Sequence, residues 1–78
     1  MNWRDRVSLD PQVLGGKPTV RGTRIAVELI FERLADGWTR EDLTSSYPRV
    51  SDDDLRAAFA FAAELIRQRR DWVPEQTA

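Results

Sequence analysis

Between residues 27 and 34 the apolar side chains fall at Val27, Ile30, Phe31 and Leu34, spacings that place all four on one helical face. The pattern predicts a first helix over 26–36, closed by Gly37 in the left-handed position that follows a helix end. Thr39 reads as an N-cap, and Glu41 and Asp42 favour the positive end of a helix. A short second helix is therefore expected over 40–46, with Leu43 and Tyr47 turned inward and Pro48 stopping it. Ser51 caps a third helix that runs to residue 69, with Asp52, Asp53 and Asp54 in its first turn.

The third helix carries more apolar surface than one core needs. At about 100° per residue, Leu55, Ala58, Phe59, Ala62 and Ile66 form one stripe, expected to face the core. Ala57, Phe61 and Leu65 form a second, with Trp72 in line if the helix extends. A helix apolar on two sides is normally buried on two sides, so this second stripe is expected to meet a partner or a second copy. Arg56, Ala60, Ala63, Arg67 and Arg70 make a third face, suited to close approach by another chain or to solvent.

Ahead of the helices, residues 1–6 read as a flexible arm with one aromatic, Trp3. Val7-Ser8-Leu9 suggests a short strand before an Asp10-Pro11 turn. Thr19-Val20 and Arg24-Ile25 flank Arg21-Gly22-Thr23 and suggest a minimal hairpin or a lone bridge. Residues 15–25 hold three of the four glycines and the one lysine, so Gly15, Gly16 and Gly22, like Gly37, read as structural turn positions. The organisation expected is an arm over 1–6, one domain over 7–70 and a C-terminal tail over 71–78. The fold class is mainly α, a three-helix helix-turn-helix with short N-terminal strands.

Composition narrows the chemistry. A chain of 78 residues buries only about 60% of its unfolded surface, so oligomerisation or a partner is a usual source of added stability. Cysteine and histidine are both absent, which removes disulfides, zinc fingers and Ser-His or Cys-His nucleophiles. Lack of cysteine, of a leader-like start and of any long apolar run fits a cytoplasmic protein with no membrane association. Gly16-Lys17-Pro18 is not a phosphate loop: the earlier glycine is missing and Pro18 removes an amide donor. The aspartates at 52–54 suit a helix start better than a metal cluster. No catalytic residue, cofactor, metal or small-molecule ligand is expected. Net charge is −1, without the positive excess of a stand-alone nucleic-acid binder, although 11 of the 12 basic residues are arginine.

The run Gly-Gly-Lys-Pro-Thr-Val-Arg-Gly-Thr-Arg-Ile-Ala-Val from Gly15 resembles the signature of the family numbered 433 among domains of unknown function. Leu34-Ala35-Asp36-Gly37-Trp38-Thr39, Tyr47-Pro48 and Asp54-Leu55-Arg56-Ala57-Ala58 match it too, and the resemblance spans roughly residues 7–66. Ala26 stands where that family commonly has proline. The resemblance implies a bacterial or archaeal protein with a winged or homeodomain-like helix-turn-helix. It also implies a VapB-type antitoxin paired with a PIN-like ribonuclease toxin, whose magnesium is held by carboxylates. On that footing the expected function is a non-enzymatic antitoxin that inhibits the toxin by protein–protein contact. A DNA-binding autorepressor and a dimerising module are the alternatives. The expected dimer or partner interface is Ala57, Phe61 and Leu65. Arg67, Arg69, Arg70 and Trp72 are the toxin-binding candidates, since arginine forks pair with carboxylates. Arg4, Arg6, Lys17, Arg21 and Arg24 are the candidates for nucleic-acid or partner contacts. DNA binding by the isolated chain should be weak, because the aspartates that open the third helix oppose phosphate.

Overall fold

A computed structural model describes residues 1–68. The chain opens with a 3-10 turn, Trp3–Asp5, and a strand β1, Val7–Ser8. A second 3-10 turn, Leu14–Gly16, leads to strand β2, Thr19–Val20, and then come α1, Val27–Ala35, α2, Arg40–Ser46, and α3, Asp52–Gln68. The fold is thus mainly helical, with a small antiparallel sheet at the N-terminal end.

Each helix begins and ends for local reasons. α1 stops at Gly37, whose φ is +96°, a conformation that costs glycine nothing. The amides of Gly37 and Trp38 turn back to the carbonyls of Leu34 and Arg33 at 3.0 Å each, satisfying two orphan acceptors. α2 starts with a reciprocal cap: the Asp42 amide donates to Thr39 Oγ1 at 3.1 Å and the Thr39 amide to Asp42 Oδ2 at 2.8 Å. α3 repeats the device with Ser51 and Asp54, at 3.1 and 2.9 Å. α1 has no side-chain cap; Ala26 sits at φ −70°, ψ 140° with its side chain uninvolved.

Strand pairing departs from the hairpin expected around Arg21-Gly22-Thr23. β2 pairs with β1, Val7 opposite Val20 and Ser8 opposite Thr19, and Thr19 also forms a lone bridge with Ala26. The expected turn survives inside this arrangement. The Thr23 amide and hydroxyl both donate to the Val20 carbonyl, and the Val20 amide donates to the Ile25 carbonyl. Gly15, Gly16 and Gly22 all have positive φ, in keeping with their reading as turn positions.

The core has two parts. One joins Val20, Ile30, Leu43, Val50 and Leu55. The other joins Trp3, Val7, Val27, Ala57, Ala58 and Phe61. Trp3 corrects the reading of residues 1–6 as an arm. Its indole is buried, lies edge-on to Phe61 with ring centroids 4.7 Å apart, and donates its N–H to Glu64. Arg6 fastens the same segment to the start of α3 by donating to Asp54 at 3.2 Å.

Trp3 also overturns the assignment of the α3 stripes. Ala57 and Phe61, expected at an interface, are buried inside the chain, because the N-terminal turn covers that side of the helix. The buried arc runs from Ala57 and Phe61 across to Leu55 and Ala58, midway between the two stripes. Phe59 and Ile66, expected in the core, lie at its edge and stay exposed.

Candidate functional site

The two faces of α3 that remain apolar converge on a groove. From α1 come Val27 and Phe31, and from α3 come Phe61, Ala62, Leu65 and Ile66, around a volume of about 390 Å³. Side chains four apart on two packed helices line up along a shared trough, which is why the walls repeat at that spacing. Pro18 and the stem of Lys17 close one end. Leu65 is 48% exposed and Ile66 61%, and Phe59 leans its ring on Phe31 from outside at 5.6 Å. The polar rim is already paired: Lys17 Nζ donates to Glu28 Oε1 at 2.7 Å. That bond and the Glu28 charge hold the Lys17 ammonium above the usual lysine range.

A second depression, of about 530 Å³, is lined by Thr19 of β2 and the turn that follows it. Thr19, Gly22 and Thr23 line it together with Arg21, Arg24, Arg49 and Asp10. Arg21 is braced by two backbone carbonyls, donating to Arg4 at 2.8 Å and Val7 at 3.3 Å.

The residues singled out in sequence therefore separate. Leu65 and the buried Phe61 line the groove, while Ala57 is buried in the core and does not line it. Lys17 belongs to the groove rim, not to a basic cluster with Arg21 and Arg24. Arg6 is engaged with Asp53 and Asp54, and Arg4 lies over the Trp3 ring at 4.3 Å. Arg67 is exposed in the last described turn of α3; Arg69, Arg70 and Trp72 lie outside the described residues. Arg49 was missed by sequence reasoning, since a lone arginine after Tyr47-Pro48 carries no local signal. The aspartates expected to oppose phosphate are themselves paired, Asp52 with Arg40 at 3.0 Å and Asp53 and Asp54 with Arg6. Among the described residues, no group of acidic side chains could hold a metal ion, and no helix is long and apolar enough to cross a membrane.

Comparison with known proteins adds the family frame. The family described as "Protein of unknown function (DUF433)" matches residues 7–62. The chain is 35% identical over 68 residues to "Uncharacterized protein y4eO" of Sinorhizobium fredii, covering 86% of this chain. It spans only 31% of that relative's length. The crystal structure of a DUF433 member from Anabaena variabilis superposes with a TM-score of 0.76 at 28% identity, covering 83% of this chain and 64% of that one.

Proposed function

The chain belongs to the DUF433 family, whose description assigns no activity, and from its surfaces we propose that it binds a partner protein in the groove between α1 and α3. The partner is a PIN-like ribonuclease toxin, and the chain is its antitoxin. The partner class follows from the resemblance of the glycine-rich block beginning at Gly15. The observation that carries the binding reading is the exposed apolar wall of Leu65 and Ile66 beside Phe31, over a rim whose charges are already neutralised. Such a trough accepts the apolar face of a helix, with burial providing the affinity. Arg67, one residue beyond Ile66, would stand next to the docked partner and reach towards its carboxylates.

Co-expression with a PIN-like nuclease encoded in the adjoining gene tests this. Wild type should restore growth and co-purify with the nuclease, whereas Leu65→Asp with Ile66→Asp should abolish both. A wild-type chain that sediments as a dimer, becomes monomeric with this double change and still neutralises the nuclease would make the groove a self-association face instead. Truncation after Ile66 separates the groove from the arginines beyond it.

A further inference from the structure

Ser8 and Thr19 stand opposite each other where β1 pairs with β2, next to the pair Val7 and Val20. Alternation along the strands sends the two valines into the core and gives Ser8 and Thr19 the opposite face, where both line the second depression. Thr19 is a buried polar residue, 1% exposed. Buried hydroxyls are ordinarily hydrogen-bonded. That of Thr19 has no hydrogen-bond partner among the described residues, so the depression it lines is where a partner must come from. Thr23, by contrast, is engaged: its hydroxyl donates to the Val20 carbonyl and accepts from the Ile25 amide. Ser8 Oγ accepts from the Asp10 amide at 3.4 Å, which leaves its own O–H to donate. Asp10 Oδ1 accepts from the Gln12 amide at 2.9 Å, which orients the carboxylate and leaves Oδ2 to accept. The Arg4 and Val7 carbonyls aim Arg21, and Arg49 Nη2 lies over the turn, 4.0 Å from the position a Cβ would take at Gly22. With Arg24, three guanidiniums face the one carboxylate of Asp10.

We propose that this depression binds a small phosphate monoester that carries hydroxyl groups, a sugar or polyol phosphate. Arg21, Arg24 and Arg49 take the phosphate, whose oxygens match guanidinium forks at two points each. The Thr19 and Ser8 hydroxyls donate to the ligand, and Asp10 Oδ2 accepts from one of its hydroxyls. Charge selects the monoester. Three arginines against one aspartate leave two net positive charges, and a monoester carries about −1.5 to −2 at pH 7. A phosphodiester or a carboxylate carries a single charge and leaves the site half neutralised. The volume of about 530 Å³ falls within the range of about 300–1,000 Å³ usual for small-molecule sites. Ser8, Thr19 and Arg49 meet only in the fold, so no run of residues announces the site. It shares no lining residue with the groove, so the proposal does not depend on the partner reading.

The test is isothermal titration calorimetry of the full chain with glycerol 3-phosphate, ribose 5-phosphate and glucose 6-phosphate. At least one should bind saturably, one ligand per chain, and at least tenfold more tightly than inorganic phosphate or its own unphosphorylated alcohol. Affinity should fall as the pH drops through the second phosphate ionisation at about 6. Arg24→Gln with Arg49→Gln leaves the backbone-braced Arg21 in place and should weaken binding at least tenfold. Thr19→Val keeps the shape and removes the hydroxyl, and should weaken binding about fivefold, the worth of one hydrogen bond. Both arginines of the pair are exposed, so their change reports on the site even if Thr19→Val disturbs the fold. Arg56→Gln, exposed on α3, should leave binding unchanged. No binding of any of the three esters at millimolar concentration overturns the proposal, as does affinity that the arginine pair leaves intact. Inorganic phosphate, a DNA duplex or a poly-glutamate peptide binding as tightly as the best ester overturns it too.

Discussion

The groove and the arginine-lined depression both draw on the block of residues 15–25, yet their chemistries are opposite. Lys17 and Pro18 line the groove; Thr19, Arg21, Gly22, Thr23 and Arg24 line the depression. On the first side the charge is cancelled by Glu28 and the walls are apolar. On the second, Arg21 is held by carbonyls that leave its charge intact. Residue type alone does not say which basic side chains are available to a ligand; the presence or absence of a neighbouring carboxylate does. A net charge of −1 averages over both sides and conceals the difference.

The strongest way to break the comparison is to remove the footing of one side. Trp3 supports the groove through Phe61 and does not touch the second part of the core. Trp3→Ala should cost about 3–5 kcal/mol, enough to unfold much of a domain this small, as read by urea denaturation. Loss of under 1 kcal/mol would mean that the first six residues are the arm their composition suggests. The groove pair Leu65→Asp and Ile66→Asp should act the other way. Partner affinity should fall by tenfold or more, which is about 1.4 kcal/mol, while stability changes by about 0.5 kcal/mol or less per exposed site.

A third change sharpens the hinge between the two sides. Ala26 bridges to Thr19 at φ −70°, within proline's range, and the neighbouring bonds use the amides of Val20 and Val27, not its own. Ala26→Pro should therefore stabilise the fold by about 0.4–1 kcal/mol, seen as a higher urea midpoint at unchanged slope. The smallest effect makes the groove rim resemble the other side. In Glu28→Gln the Lys17 ammonium loses the bond that raises it, so its titration, followed by NMR, should move back towards the ordinary lysine value. Because that value is raised in the folded chain, the associated stability is fully present below the unfolded lysine pKa. It is lost as pH rises through the folded one, and this alkaline loss should vanish in the variant.

The helices were legible in sequence because their signals are local. Thr39 with Asp42, Ser51 with Asp54, and Gly37 each act within a few residues, and the boundaries follow. What was not legible depends on distant contacts. Nothing in Met1-Asn2-Trp3-Arg4-Asp5-Arg6 marks the indole as buried, since its partners Phe61 and Glu64 are about sixty residues away in sequence. Missing that contact rotated α3 in the sequence reading, sending Ala57 and Phe61 outward and Phe59 and Ile66 inward. The pairing of β2 with β1 was missed for the same reason: ten residues separate the strands, while the turn at Gly22 offers a nearer partner. Arg49 acquires its neighbours Arg21 and Arg24 only through the fold.

The bond from Trp3 to Glu64 joins positions 61 residues apart, and this sets an order on synthesis. A ribosome delivers the indole well before its receptor. The half of the core formed by Val20, Ile30, Leu43, Val50 and Leu55 has all its members once residue 55 has emerged, and it can begin to condense. The half that includes Trp3 waits for Phe61 and for the entropy of closing so long a loop. During that interval a tryptophan and several aliphatic side chains face solvent unpaired, the condition under which nascent chains recruit chaperones or one another. The turn at Trp3 is thus made before the half of the core around Leu43 and seated after it.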